Sequence, residues 1–426
     1  MRRSGSLLRL VGALMALLLL SAACAGSETD TSDNGDAAGG TTQNSPMESP
    51  SDEPVALDEG APALAQTLTN LLDSHVYQAG IAVVQGVTNG LDSPEFKVAA
   101  AELDKNTLAL GDAIGSVYGD EARDAFVPLW RKHIGFFVDY TAAQASGDKA
   151  AAMKAKKDLD GYRTDFGELI EGATGGALPA AAVAEALIPH VESLFAAIDS
   201  VVKGDGKAFD LLQEAAMHMP MTATTLAGGI AASMPEEFEG AAADGAASQL
   251  QVTLTHLLDD HVYLAGIAIS TGLGSGLDSP EFEAAAAALD TNTVALGDAI
   301  DSVYPGAKEA FVPLWRKHIG FFVDYTVAQA SGDKAAAKKA ISNLDEYRQD
   351  FGELIEGATE GAVSADDIAT GLVEHVETLA AAIDGLVAKD LPAALSSLND
   401  AGHHNTVLGA VLAGAIVKHY PDQFNN

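Results

Sequence analysis

Apolar residues recur at steps of three and four along most of this chain, which is the periodicity of an amphipathic helix. In the segment 126–141 the apolar positions that share one face are Phe126, Leu129, Trp130, Phe137 and Tyr140. The alternation of a half-buried strand is scarce, and Gly, Pro and Asp separate the periodic stretches. The pattern predicts first-half helices at 62–86, 94–117, 121–146, 148–173, 179–203 and 206–233, the last interrupted near Pro220. We therefore expect an all-α fold.

The chain contains a long internal repeat. Phe126–Thr141 recurs letter for letter as Phe311–Thr326, and Asp165–Thr174 recurs as Asp350–Thr359. Short connections between helices favour antiparallel neighbours, so each copy should be an up-and-down helical bundle. The repeat predicts two tandem homologous bundles, at 61–238 and 249–426, joined by a short linker at 239–248. We expect each copy to have its own core and to fold alone.

The first sixty residues have no such periodicity. Three arginines within residues 1–9 precede an apolar run and small residues, which is the pattern of a secretory signal peptide over residues 1–23. Cys24 is the only cysteine of the chain and follows this segment, so we expect it to carry a lipid. Residues 24–60 are rich in Ser, Thr, Asp, Gly and Pro and predict a disordered tether. The expected location is the outer face of the bacterial cell membrane.

The chain is strongly acidic, with a formal net charge of −36. Such a surface repels nucleic acid, which excludes nucleic-acid binding as a main role. The partners that we expect are the membrane, through the lipid on Cys24, and a metal ion or protein whose identity the sequence leaves open.

Four histidines recur in both copies, and each lies on a different predicted helix. Their spacing from neighbouring leucines places them on the apolar faces, where an imidazole needs a hydrogen-bond partner or a metal ion. These candidate metal ligands are His75, His133, His190 and His218 in the first copy and His261, His318, His375 and His404 in the second. The last correspondence is ambiguous by one residue, because His403 precedes His404.

Three interpretations of these histidines stay open. Each can be a separate core residue bonded to a carbonyl or to a neighbouring Asn or Asp, such as Asn106 in the first copy and Asn292 in the second. Several can converge on one transition-metal ion, with copper or zinc as the candidates. They can also serve catalysis. The residue three places before each histidine of the first copy is not acidic, which excludes the Glu-x-x-His pattern of di-iron bundles.

Four segments carry a resemblance to a known family. They are LDSPEF, NT-x-x-L-x-x-AI, LWRKHIGFFVDYT and YR-x-DF, and each occurs in both copies. The chain resembles a family of secreted, mostly actinobacterial helical repeat proteins that are commonly labelled copper amine oxidase. The resemblance implies a helical fold, and its label implies copper. The chain has no Asn-Tyr pair, whereas true copper amine oxidases form topaquinone from a tyrosine in such a string.

These observations favour a non-catalytic cell-surface lipoprotein that binds a metal ion or a partner through its histidine-containing bundles. The alternative is a metal-dependent oxidoreductase that uses copper.

Overall fold

The computed structural model describes residues 55–424, and they form an all-α protein, as the periodicity predicts. The first half contains α1 (Gly60–Asn89), α2 (Pro94–Tyr118), α3 (Asp120–Ser146), α4 (Lys149–Ala173), α5 (Ala180–Ala186), α6 (Ile188–Lys203), α7 (Ala208–Met217) and α8 (Met219–Ser233). The second half contains α9 (Ala246–Ser275), α10 (Pro280–Val303), α11 (Lys308–Ser331), α12 (Lys334–Ala358), α13 (Ala365–Ala388), α14 (Leu391–His419) and α15 (Pro421–Phe424).

The expected signal peptide, Cys24 and most of the expected tether lie outside the described residues. Residues 55–59 lead into α1 and pack on the second half, where Leu57 is buried and its carbonyl accepts a hydrogen bond from Gln251. Helix α9 begins at Ala246, within the range expected for the linker.

The helix starts follow from local capping chemistry. The Ser93 side chain accepts a hydrogen bond from the Phe96 amide at the start of α2, and Pro94 follows it. Asp148 accepts from the amides of Ala150 and Ala151 at the start of α4. The second half repeats both caps, at Ser279 and Asp333. Because a cap satisfies amides that have no partner within the helix, it marks the first turn.

Two helices of the first half are broken where those of the second half are continuous. The segment 179–203 is divided at Leu187, just before Ile188-Pro189, and the segment 206–233 is divided at His218, two residues before Pro220. Proline lacks an amide hydrogen and its ring displaces the carbonyl four residues back, so a helix restarts there. The counterpart of Pro189 is Glu374, which lies inside the continuous α13.

Helices α1 and α9 lie at the centre of the molecule. Helix α1 packs against α2 and α8 of its own half and against α9 of the other half, and α9 packs against α10 and α14. The rings of Tyr77 and Tyr263, which occupy the same place in the repeat, stack across this junction at 5.3 Å with an angle of 6°. The halves are therefore joined by a buried interface as well as by the connecting chain.

Most of the large apolar side chains are buried between these helices, and the largest core cluster contains residues of both halves. Within the described residues, one helical stretch, 180–203, is long and apolar enough by composition to cross a membrane. It is divided at Leu187 and packs against α3 and α7 through its apolar side.

Candidate metal centre

Two histidines meet in the core of the second half. His261 lies in the middle of α9 and His318 lies in α11, and both are 1% exposed. Their Nε2 atoms are 3.2 Å apart. Two nitrogens bound to one tetrahedral metal ion at about 2.0–2.1 Å are separated by about 3.3–3.4 Å, so this spacing matches two ligands of a single ion. The same distance allows an N–H···N hydrogen bond between two neutral imidazoles.

His375 of α13 completes a group of three. One ring nitrogen from each of His261, His318 and His375 lies within 4.8 Å of the other two. Among residues 55–424, the Nδ1 atoms of all three rings have no hydrogen-bond partner. A buried polar atom without a partner is costly, and a bound ion or water molecule is one explanation for it. The structure thus brings together three of the four candidate residues of this half.

Aromatic rings surround the group. Trp315 contacts both His261 and His318, with ring centroids 4.9 and 4.7 Å apart. Tyr347 stacks on His318 at 4.6 Å, and Phe322 meets His375 edge-on. These rings exclude water, so the three imidazoles lie in a medium that disfavours charge.

The three imidazoles are held in the neutral state. Burial, with a further contribution from His375, lowers the pKa of His261 to about 3. Burial and then His404 lower the pKa of His375 to about 4. Burial, assisted by the other two histidines, lowers the pKa of His318 well below its ordinary value. A neutral imidazole is the form that binds a metal ion, so at neutral pH no proton has to leave these rings first.

A small cavity of about 120 Å³ lies against this group. His261 and His318 line it together with apolar side chains that include Phe282, Leu289 and Phe322; its wall also includes Arg316 and Asp290. Arg316 and Asp290 form a two-point ion pair, with N···O distances of 2.6 and 2.9 Å, and both are half-exposed. The cavity leaves space beside His261 and His318 for a water molecule or another small ligand.

The first half repeats the pair but not the group of three. The Nε2 atoms of His75 and His133 are also 3.2 Å apart. His190 instead has its Nδ1 3.4 Å from the carbonyl oxygen of Ala215. It follows Pro189 in the first turn of α6, directly after the helix break, whereas His375 lies within an uninterrupted helix. The break thus places the third histidine differently in the two halves.

Burial also keeps the first-half histidines neutral. It lowers the pKa of His75 to about 3 and that of His190 to about 4, and it lowers the pKa of His133 well below the ordinary value. The charge of another histidine adds to each shift.

The fourth histidine of each half lies outside these groups. His218 is half-buried at the break between α7 and α8. The Nε2 of His404 is 2.7 Å from the carbonyl oxygen of Gly371, and its Nδ1 is 3.2 Å from a carboxylate oxygen of Glu374.

The expected amide partners of the histidines bond elsewhere, because Asn106 and Asn292 donate to the carbonyls of Leu71 and Leu257.

A second buried polar cluster lies at the junction of α1 and α9, and comparison of the two copies overlooks it. His256 Nδ1 is 3.0 Å from Asp73 Oδ2, and the Asn70 amide donates to Asp259 at 2.9 Å. Asn70 is the repeat counterpart of His256, so a search for histidines kept in both copies misses it. The signal that could have found the cluster is an aspartate beside the apolar face in both copies, at 73 and 259.

The charge state of this cluster differs from that of the histidine core. Burial disfavours a charged His256, but the carboxylates of Asp73 and Asp260 outweigh it and raise its pKa to about 10. Burial raises the pKa of Asp259 well above its ordinary value, and the nearby Asp73 raises it further. Asp260 also has a raised pKa because of burial, and it accepts a short hydrogen bond from the Tyr77 hydroxyl. Burial outweighs the neighbouring His256 and raises the pKa of Asp73 to about 7. His256 is therefore charged at neutral pH, and Asp73 becomes its ionised partner as the pH rises through about 7.

No protein-family model, no curated protein and no solved structure matches this chain. The resemblance to the secreted helical family therefore stays a prediction, and the functional argument depends on the geometry of the site.

Proposed function

We propose that this protein is a non-catalytic metal-binding protein whose second half holds one copper or zinc ion through His261, His318 and His375. The observation that carries the proposal is the convergence of three buried imidazoles, with ring nitrogens within 4.8 Å of one another. Three imidazoles are a ligand set that suits both metals. The first half, in which His190 is directed to a carbonyl, binds more weakly.

The two tryptophans provide a separate signal for each half. Trp130 contacts His75 and His133, and Trp315 contacts His261 and His318. In Trp130→Phe only Trp315 emits, so its quenching by Cu(II) reports binding in the second half. In Trp315→Phe the remaining signal reports the first half. We expect quenching at a lower copper concentration in Trp130→Phe than in Trp315→Phe.

A matched pair of histidine variants tests the ligands. His318→Ala in the Trp130→Phe background removes the tight copper site, whereas His133→Ala in the same background leaves it unchanged. Elemental analysis of the dialysed protein then gives about one tightly bound ion per chain for the parent and none for His318→Ala. Equal binding by both variants would assign the metal to surface carboxylates and would refute the proposal.

The cavity beside the histidines favours a metal-dependent oxidoreductase as the second candidate function. A three-histidine ion needs a fourth ligand, and the 120 Å³ cavity has room for a small one. The copper-loaded protein should then bind azide and produce hydrogen peroxide from an amine in air, and His318→Ala should do neither. Copper binding without either response supports the non-catalytic function.

We also propose that Cys24 carries a lipid that holds the protein on the outer face of the cell membrane, with the following residues as a tether. The proposal is supported by the sequence alone, which puts the lone cysteine between an apolar segment and a polar one. Membrane fractionation of the wild type and of Cys24→Ala tests it. We expect the wild type in the membrane fraction and Cys24→Ala in the medium; equal release of both would refute it.

A further inference from the structure

A large apolar cavity of about 550 Å³ lies where the two halves meet. His75 lines it, and along α1 its wall extends through Ala79 and Ala82 to Thr88 and Asn89. The second half contributes Leu391, Leu395 and Leu398 from α14 and residues of α9 as far as Ser275. His75 is buried, whereas Thr88, Asn89 and Ser275 are exposed, so the cavity leads from the surface to the histidine core.

The repeat provides an internal comparison. The small cavity of the second half is lined by Ala265 and Ala268, which are the counterparts of Ala79 and Ala82. The same repeat positions therefore enclose about 120 Å³ in one half and open into about 550 Å³ in the other. Protein interiors are packed as densely as organic crystals, so an apolar space of this size is unusual unless something fills it.

The dimensions favour a narrow, elongated occupant. With a helical rise of 1.5 Å per residue, the stretch from His75 to Asn89 is about 21 Å long. A volume of about 550 Å³ averaged over that length has a cross-section of about 26 Å², or about 6 Å across. Because nonbonded carbon atoms approach to about 3.5–4.0 Å, this width matches a single hydrocarbon chain.

The charge of the lining residues indicates which head group the bound molecule has. Glu281 is the one lining residue with a formal charge at neutral pH, and it is exposed near the opening. A carboxylate or phosphate head would be repelled there, whereas the side chains of Gln85, Thr88 and Asn89 can bond to hydroxyl or carbonyl groups.

We propose that this cavity binds an uncharged single-chain lipid, with its hydrocarbon chain directed toward His75 and its hydroxyl or carbonyl head between the ends of α1 and α9. The proposal is independent of the metal site, because it depends on the volume, the apolar lining and the charge of the cavity.

The test uses the whole folded chain and the uncharged fluorescent probe N-phenylnaphthylamine, which brightens in apolar surroundings. We expect the wild type to bind the probe and glycerol monopalmitate to displace it. Ala79→Phe and Ala82→Phe fill the cavity and should each weaken binding of glycerol monopalmitate by about tenfold or more. The matched substitutions Ala265→Phe and Ala268→Phe, at the same repeat positions of the second half, should leave it unchanged.

Circular dichroism identifies any variant that does not fold, and the other variant of the pair then decides. Palmitate tests the head group, because it has the same chain with a carboxylate and should compete at least about tenfold more weakly. The proposal is overturned if the wild type takes up neither probe nor lipid, or if the second-half variants lose as much affinity as the first-half variants. Equal competition by palmitate overturns the assignment of an uncharged head.

Discussion

Asp73 of the first half and His256 of the second half are joined across the centre of the molecule by a buried contact of 3.0 Å. The symmetric position has Asn70 bonded to Asp259 at 2.9 Å. The interface between the halves is thus nearly two-fold symmetric in position but not in charge. The neutral amide of Asn70 on one side corresponds to the imidazolium of His256 on the other. This difference makes the junction sensitive to the loss of a single carboxylate.

Asp73→Ala should lower the free energy of unfolding by about 3–5 kcal/mol, because it removes the hydrogen-bonded carboxylate of the buried His256 and leaves only Asp260, 3.9 Å away, to face its charge. Chemical denaturation at neutral pH measures the change. The control is Asp165→Ala, which removes the exposed partner of Lys132 and should cost less than about 1 kcal/mol. Equal effects of the two substitutions would contradict the buried ion pair.

Acidification should destabilise the metal-free protein. His75, His190, His261 and His375 have folded pKa values of about 3–4, below the ordinary value of 6.5. Their contribution to stability is therefore fully present above pH 6.5 and is lost as the pH falls toward 4. The buried carboxyl groups of Asp73, Asp259 and Asp260 and the imidazole of His256 act in the opposite direction because their pKa values are raised. They are fewer than the histidines whose pKa values burial lowers, which also include His133 and His318.

Denaturation curves at pH 7, 6 and 5 in the presence of a chelator test this dependence. We expect the unfolding free energy to fall by several kcal/mol over this range. His318→Gln removes one such group, so below pH 6.5 its curve should be shallower by up to about 1.4 kcal/mol per pH unit. A stability that is flat from pH 7 to pH 5 would mean that the imidazoles are not held neutral by burial.

Zinc should stabilise the folded protein, because the group of three histidines exists only when α9, α11 and α13 are packed together. A free zinc concentration one hundred times the dissociation constant should add about 2.7 kcal/mol to the unfolding free energy. His318→Ala should abolish this gain, and His133→Ala should preserve it. The measurement is thermal unfolding with and without zinc, with magnesium as the control ion.

Separated halves should be less stable than the intact chain. Each half has its own amphipathic helices and should remain helical, but separation exposes Tyr77 of one half and Tyr263 of the other, both now at most 1% exposed. It also exposes the Asp73–His256 pair to water. We expect each half to melt at a lower temperature than the full protein and an equimolar mixture to recover part of the difference. Separate halves that melt like the intact chain would show that the junction contributes nothing.

The sequence by itself determined the helical class and most helix boundaries. Helical periodicity is local, and the capping residues Ser93 and Asp148 act within one turn of their own position. The break near Pro220 was predictable because proline interrupts a helix at its own position. The break at Leu187 was missed, although Pro189 signals it; the corresponding segment of the second half continues through Glu374 as one helix.

The candidate site was only partly predictable. Helical phase places His261, His318 and His375 on buried faces, and the structure does bury all three. Which of them meet depends on how three helices far apart in sequence are rotated and translated against one another, and no local pattern contains that information. Helical phase also placed His404 on the apolar side, where tertiary packing directs it to Gly371 instead.

The junction between the halves was decided by the tertiary structure alone. Asp73, Asp259 and Asp260 are charged residues that composition assigns to a solvated surface, yet each is at most 1% exposed. They can be buried because α1 and α9 pack so that each carboxyl group meets an imidazole, an amide or a hydroxyl of the other half. Such pairing depends on residues more than 180 positions apart, so it exists only once both halves have folded against each other.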